Sequence, residues 1–209
     1  MITDNQRFRG NWGEAFKIWE GGLGIWGGVA AGVLTAVWLS RRRGYHLPDA
    51  LDSVAPAIPL AQAIGRLGNW FNQELFGGPS DLPWAVEIDE SHRPTQYLDE
   101  ATFHPTFLYE LLWNLGVVAA IIWLVPKLLP NLKRGLQFGI YVALYTLGRL
   151  WIELVRIDAA SEIFGVRVNV FTSVIVGLAA TVVVVMLQRS DKYQPRGKDP
   201  VPADVDTAV

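Results

Sequence analysis

Uncharged apolar runs alternate with short charged turns along this chain. Between Gly21 and Ser40 no residue carries a charge, and the run stops at Arg41-Arg42-Arg43. At 1.5 Å rise per residue, about 20 residues in a helix cover the roughly 30 Å of a bilayer's hydrocarbon. The second run, Pro48 to Arg66, is less apolar. Pro48 suits a helix start, Asp49 and Asp52 fall in the first turn, and Pro56 and Pro59 predict a kink. The third begins with His104, Tyr109 and Glu110 and is apolar to Val125; the fourth, Gly135 to Leu154, carries Arg149 and Glu153 four residues apart, on one helix face. The fifth, Val168 to Leu187, is uncharged and rich in β-branched residues.

The pattern predicts an all-α, polytopic integral membrane protein. Its five transmembrane helices fall at residues 20–39, 49–66, 106–126, 135–154 and 168–187, with a non-cytoplasmic loop at 67–104. Basic groups at 41–43, 127–134 and 189–197 all fall on one side, which the positive-inside rule makes cytoplasmic. That places the N-terminus outside, the C-terminus in the cytoplasm, and the acid-rich stretch 79–104 on the outer face. Residues 1–11 read as a polar N-terminal segment, 12–188 as the membrane domain and 189–209 as a disordered cytoplasmic tail.

Composition agrees. Of 209 residues, 51% are hydrophobic and only 18% charged, against about 25% in an ordinary soluble domain. The chain does not open like a secretory signal. The absence of cysteine excludes disulfides, thiolate metal sites and a cysteine nucleophile of the chain's own. No His or carboxylate spacing suits a metal and no nucleotide loop is present, so neither metal nor cofactor is expected. The basic runs are topology anchors, with no nucleic-acid partner implied. Trp12, Trp19, Trp38 and Trp70 suit an interfacial aromatic belt, and His46 and His92 suit solvated loops.

Candidate chemistry starts at Gly65-Arg66-Leu67-Gly68-Asn69-Trp70-Phe71-Asn72-Gln73-Glu74-Leu75-Phe76-Gly77-Gly78. An unpaired Arg near a bilayer centre costs roughly 2.5–3.5 kcal/mol on insertion scales, so such groups face a partner, a cavity or a ligand. Arg66, Asn69, Asn72 and Glu74 end the second segment, His104, Tyr109 and Glu110 open the third, and Arg149, Glu153 and Arg156 close the fourth. All fall on the outer side. Arginine forks suit phosphate or carboxylate, and amides can fix a head group or an oxyanion, so a site for a phosphorylated lipid is the natural inference. The alternative is a structural ion-pair network, Arg149 with Glu153 and Arg66 with Glu74, that only orients helices. Spacing alone leaves the two level. An anion transporter and a helix-packing scaffold are the non-enzymatic rivals.

The signature at 65–77 resembles that of bacterial prolipoprotein diacylglyceryl transferases, G-R-x-G-N-aromatic-x-N-x-E-x-x-G. Asp81-Leu82-Pro83-Trp84, His104-Pro105-Thr106-Phe107-Leu108-Tyr109-Glu110, Gly148-Arg149-Leu150-Trp151-Ile152-Glu153 with Arg156, and Trp19 to Gly28 are similar to the family in order and spacing. The resemblance covers about residues 11 to 188. It implies an enzyme of the bacterial cell membrane with two partners, phosphatidylglycerol and prolipoprotein signal peptides bearing a lipobox cysteine. The diacylglyceryl group would move to that thiol as a thioether, releasing glycerol phosphate. Arg66, Asn69, Asn72, Gly77 and Tyr109 would then bind phosphatidylglycerol, with Arg149, Glu153, Glu74 and His104 the catalytic candidates. Where many members carry a histidine proposed as the thiol base, this chain has Trp26, which takes no proton. Deprotonation then falls to Glu74, to His104, or to the positive field acting on the thiol, and the base stays unassigned. Members also carry helices upstream of the Gly-rich one, so a truncated or inactive fragment is a further expectation.

Overall fold

A computed structural model describes residues 25–44, 46–158 and 162–190. The predicted N-terminal segment 1–11, the predicted tail 189–209 beyond residue 190, and most of the Gly-rich motif lie outside the described residues, as does the side chain of Trp26; Arg189 still belongs to the last helix. The chain divides into two compact units, Met1–Ala50 and Leu51–Val209. In the first, α1 (Ile25–Arg43) ends on the expected triple arginine, with Arg42 5.1 Å from the Trp38 ring.

The second unit is mostly helical. Between α2 (Leu47–Val54) and α3 (Ala57–Asn72) the chain breaks at Ala55-Pro56, so the predicted kink is a full interruption. Proline supplies no N–H to the helical ladder, and a second one, Pro59, follows in the first turn of α3. Next, α4 (Thr106–Ala119) continues through a π-helical turn (Ala120–Leu124) into α5 (Val125–Leu128), and α6 (Leu136–Glu153) and α7 (Val168–Arg189) follow. The stretches Thr106–Leu128 and Val168–Arg189 are long and apolar enough to cross a membrane, with mean hydropathies of 1.9 and 2.6.

Two expectations need correction. The loop expected at 67–104 begins later, because α3 runs through the polar signature to Asn72. Gly65 and Gly68 sit inside the helix without breaking it. The stop is made by Gln73 and Leu75, both left-handed (φ 48° and 56°), with the Glu74 N–H returning to the Asn69 carbonyl at 3.1 Å. The fold is also not purely α. Antiparallel β1 (Val86–Glu87) and β2 (Thr102–Phe103) pair around a small core of Phe76, Ile88 and Phe103, and β3 (Glu162–Ile163) pairs with β4 (Val166–Arg167) ahead of α7. The acid-rich loop is therefore a built lobe, in which Arg93 donates to the carbonyls of Ile88 and Leu98.

Helix pairs α3–α4 and α6–α7 pack side by side. Gly139 and Gly177 permit the second pairing, since a Cβ at either would lie 2.5 Å from Val184 or 2.6 Å from Thr146. At the other end of the helices from the signature sits a buried polar lock. Asp52, 3% exposed, accepts from the Gly135 N–H (2.9 Å) and the Gln137 N–H (3.0 Å), capping α6 from outside. The Gln137 amide in turn donates to the Ile121 carbonyl in the π turn at 2.8 Å. The sequence placed Asp52 in the first turn of its own helix, but its partners are on another. We expect Asp52→Ala to lower stability by about 2 kcal/mol, because two buried N–H groups lose a charged acceptor. Denaturant unfolding in micelles measures this, and Asp52→Asn should fall between alanine and the unaltered protein.

Candidate active site

The last two turns of α3 present Arg66 and Asn69 on one face, three residues apart. Arg66 Nη1 donates to Asn69 Oδ1 at 3.1 Å. The left-handed turn at Gln73 swings Glu74 back, so that its Oε1 accepts from the amides of Asn69 (2.9 Å) and Asn72 (3.1 Å). Beyond it Gly77 occupies a crossing of three segments. A Cβ there would lie 2.8 Å from the Val155 carbonyl and 2.9 Å from both His104 and Thr106. Gly77 also forms a bridge with Arg156 and donates its N–H to the His104 carbonyl at 2.8 Å. Thr106 closes the crossing through its hydroxyl to the Leu75 carbonyl, at 2.5 Å.

The charged groups converge on Glu110, buried in the first turns of α4. Arg66 Nη2 ion-pairs with its Oε2, while Arg149 Nη1 (2.6 Å) and Arg156 Nη1 (3.4 Å) share Oε1. Arg149 Nη2 also pairs with Glu153 at 2.7 Å, as the i,i+4 spacing predicts. The Arg66–Glu74 pair of the ion-pair alternative is not made. Arg66 reaches Glu110 instead, and Glu74 joins only through Asn69.

A second layer holds the far side. Glu153, whose side chain has no exposed surface, accepts from Arg167 Nε at 2.7 Å and Asn169 Nδ2 at 3.0 Å. Asp158 pairs with Arg156 (2.6 Å) and Arg167 (3.2 Å). Burial would push the Asp158 carboxyl up, but hydrogen bonds and charge from Arg156 and Arg167 outweigh it and hold the group below the usual carboxylate range. Its stabilising contribution is therefore complete above that range and is lost only as the pH falls through the lowered value. Asp158, Arg167 and Asn169 were not legible in the sequence as site residues, and Glu110 and Arg156 were noted without roles. The one available signal was polar residues flanking apolar segments 135–154 and 168–187.

His104 and Tyr109 form a separate pair, 3.1 Å between Nδ1 and Oη, and Trp84 Nε1 donates to the same Oη at 2.9 Å. Tyr109 also borders an apolar groove of about 430 Å³ between α4 and α6, walled by Leu112, Trp113, Gly116, Leu144 and Trp151. Trp113 divides this groove from a much smaller pocket lined by Glu110, Asn114 and Arg149. Its indole fits there because position 148 is glycine. A Cβ at 148 would lie 2.1 Å from Trp113 Nε1, which donates to the Leu144 carbonyl at 3.0 Å. No group of three or more His or carboxylate side chains arranged for a metal occurs among the described residues.

The family model described as "Prolipoprotein diacylglyceryl transferase" matches residues 6–186. The chain belongs to the prolipoprotein diacylglyceryl transferase family. A Cutibacterium acnes protein named phosphatidylglycerol–prolipoprotein diacylglyceryl transferase is 51% identical over 193 residues, covering 90% of this chain and 64% of the relative. A Frankia alni protein of the same name is 56% identical, over 86% of this chain and 47% of the relative. The second Streptomyces coelicolor diacylglyceryl transferase is 49% identical, over 100% of this chain and 70% of its own length. The chain thus spans between 47% and 70% of the length of these relatives.

Proposed function

We propose that this chain transfers the diacylglyceryl group of phosphatidylglycerol to the lipobox cysteine thiol of a prolipoprotein, forming a thioether and releasing glycerol phosphate. The observation that carries the reading is the junction of an arginine-rich ionic cluster with an apolar groove across one tryptophan, Trp113. That is the outline of an amphiphile with an anionic head. The family relatives, named for this reaction, support it.

Exposure separates the arginines. Arg66 and Arg149 keep 22% and 17% of their side chains accessible, whereas Arg156 keeps 6% and is spent on Asp158 and Glu110. Arg66 and Arg149 are therefore our candidates for the phosphodiester, with Asn69 and Asn72 supporting the head group and Glu74 holding those amides. Arg149 stabilises the leaving phosphate as the C–O bond breaks, and Glu153 orients it. Gly77 shapes the wall by staying small. The nucleophile is the substrate's own thiolate. The same reading places the chain in a bacterial cell membrane as a multi-pass protein, with the site at the outer face, the N-terminus outside and the C-terminus cytoplasmic.

The test uses membranes containing the chain, phosphatidylglycerol labelled in its diacylglyceryl group, and a lipobox peptide. Label should appear on the peptide and be absent when its cysteine is replaced by serine. Label on neither peptide would defeat the reading.

A further inference from the structure

The hydrogen-bonded row Trp84–Tyr109–His104 lies beside the ionic cluster but takes no part in its ion pairs. We infer that it is the proton acceptor for the substrate thiol, with Tyr109 the group in contact, His104 the store behind it and Trp84 a positioning residue; this rests on the transferase reading above.

The buried carboxylates of the site are committed, and Glu74, which is exposed, does not border the apolar groove. Glu110, Glu153 and Asp158 are each paired with two or more arginines, and one oxygen of Glu74 already accepts two amides. His104 is the one imidazole here among the described residues, since His46 and His92 sit in other loops. Its main chain is fixed on both sides, by the Gly77 N–H to its carbonyl (2.8 Å) and by its N–H to the Gly78 carbonyl (3.0 Å). The titratable groups on the segments packed around it are Tyr109 and Glu110 of α4, Glu74 of the signature turn, and Arg156 with Asp158 beyond α6. Of these only Tyr109 is hydrogen-bonded to it among the described residues.

Donor and acceptor roles give the path. An indole N–H can only donate, so Tyr109 Oη accepts from Trp84. The phenol hydrogen is then free to point at His104 Nδ1, and the remaining lone pair of Oη is open. Tyr109, and not His104, borders the apolar groove, so it is the group an incoming thiol meets. The thiol hydrogen passes to Tyr109 Oη as the phenol hydrogen passes to His104 Nδ1. The thiolate sulfur bonds to the glyceryl carbon, that carbon's bond to the phosphate oxygen breaks, and the electron pair leaves with the phosphate. His104 afterwards returns its proton to water. Such a relay does the work for which Trp26 is unfit.

The test compares the full chain with Tyr109→Phe, His104→Gln and Trp84→Phe at about pH 7 and about pH 9.5. A cysteine thiol, with an ordinary pKa near 8.5, is mostly ionised at the higher pH and needs no base. At neutral pH we expect Tyr109→Phe and His104→Gln to transfer roughly 100-fold more slowly, within the usual range for general-base loss, and Trp84→Phe about tenfold more slowly. At the higher pH each deficit should shrink at least tenfold, whereas that of Arg149→Lys should not. Deficits that ignore pH, or a Tyr109→Phe protein at full rate near neutrality, would overturn the relay alone. No transfer by the unaltered chain at either pH would overturn the transferase reading and the relay with it.

Discussion

Glu110→Gln should destabilise the protein by about 3–5 kcal/mol, the largest effect we expect from one isosteric change. Glutamine keeps the shape but removes the charge that Arg66, Arg149 and Arg156 share. Those guanidiniums come from α3, from α6 and from the segment beyond α6, so one carboxylate ties three parts of the fold. Arg149 and Arg156 keep Glu153 and Asp158, but Arg66 loses its acidic partner and four guanidiniums are left facing two carboxylates. Removing one partner from a buried ionic cluster costs several kcal/mol. Unfolding in detergent with denaturant reads the loss. The companion is Arg66→Gln in the same background, which removes one of the stranded charges and should recover part of the stability. A Glu110→Gln protein as stable as the unaltered one would mean that water already screens the cluster.

Arg149→Ala should lower the transfer rate by about 10²–10³, the usual consequence of deleting one fixed donor to a developing oxyanion. The same change strips Glu110 and Glu153 of a partner, so folding suffers as well. Arg149→Lys separates the two effects. Lysine keeps the positive charge between the carboxylates but loses the planar fork that reaches Glu110 at 2.6 Å and Glu153 at 2.7 Å together. Its unfolding midpoint should stay near that of the unaltered chain while transfer stays low. Labelled-lipid transfer and an unfolding curve on the same preparation check this. A fall in rate that only tracked a fall in folded fraction would assign Arg149 to architecture.

The helices were legible because apolar runs and basic flanks are properties of neighbouring residues. Segments expected at 106–126, 135–154 and 168–187 are helical at Thr106–Leu128, Leu136–Glu153 and Val168–Arg189. The signature misled at its helix boundary. Gly65, Gly68, Asn69 and Asn72 have the composition of a loop, yet they form the end of α3, since the stop depends on the backbone at Gln73 and Leu75. Arg149–Glu153 was readable from a spacing of four. For Arg66 the ion-pair alternative offered the nearest acid in sequence, Glu74, whereas its partner Glu110 lies on the next long helix. Asp158, Arg167 and Asn169 escaped for the same reason, because nothing local says that Arg167 and Asn169 return to Glu153 or that Asp158 meets Arg167. Pair spacing finds neighbours on one helix. It has no information about which helices meet.

The lock at Asp52 also has a meaning in time. Its carboxylate is synthesised 83 and 85 residues before the two amide groups it caps. At about 5–20 residues per second, that interval is roughly 4–17 s. Throughout it a bare anion has to stay hydrated or borrow another donor, so the end of α2 cannot settle into its buried place. The pairing of α3 with α4 has an ion pair of its own, Arg66 with Glu110, as soon as α4 is made, although Arg149 and Arg156 join that carboxylate later. The order of assembly that follows begins with α3 against α4 and ends with α2, once the start of α6 has emerged to receive it.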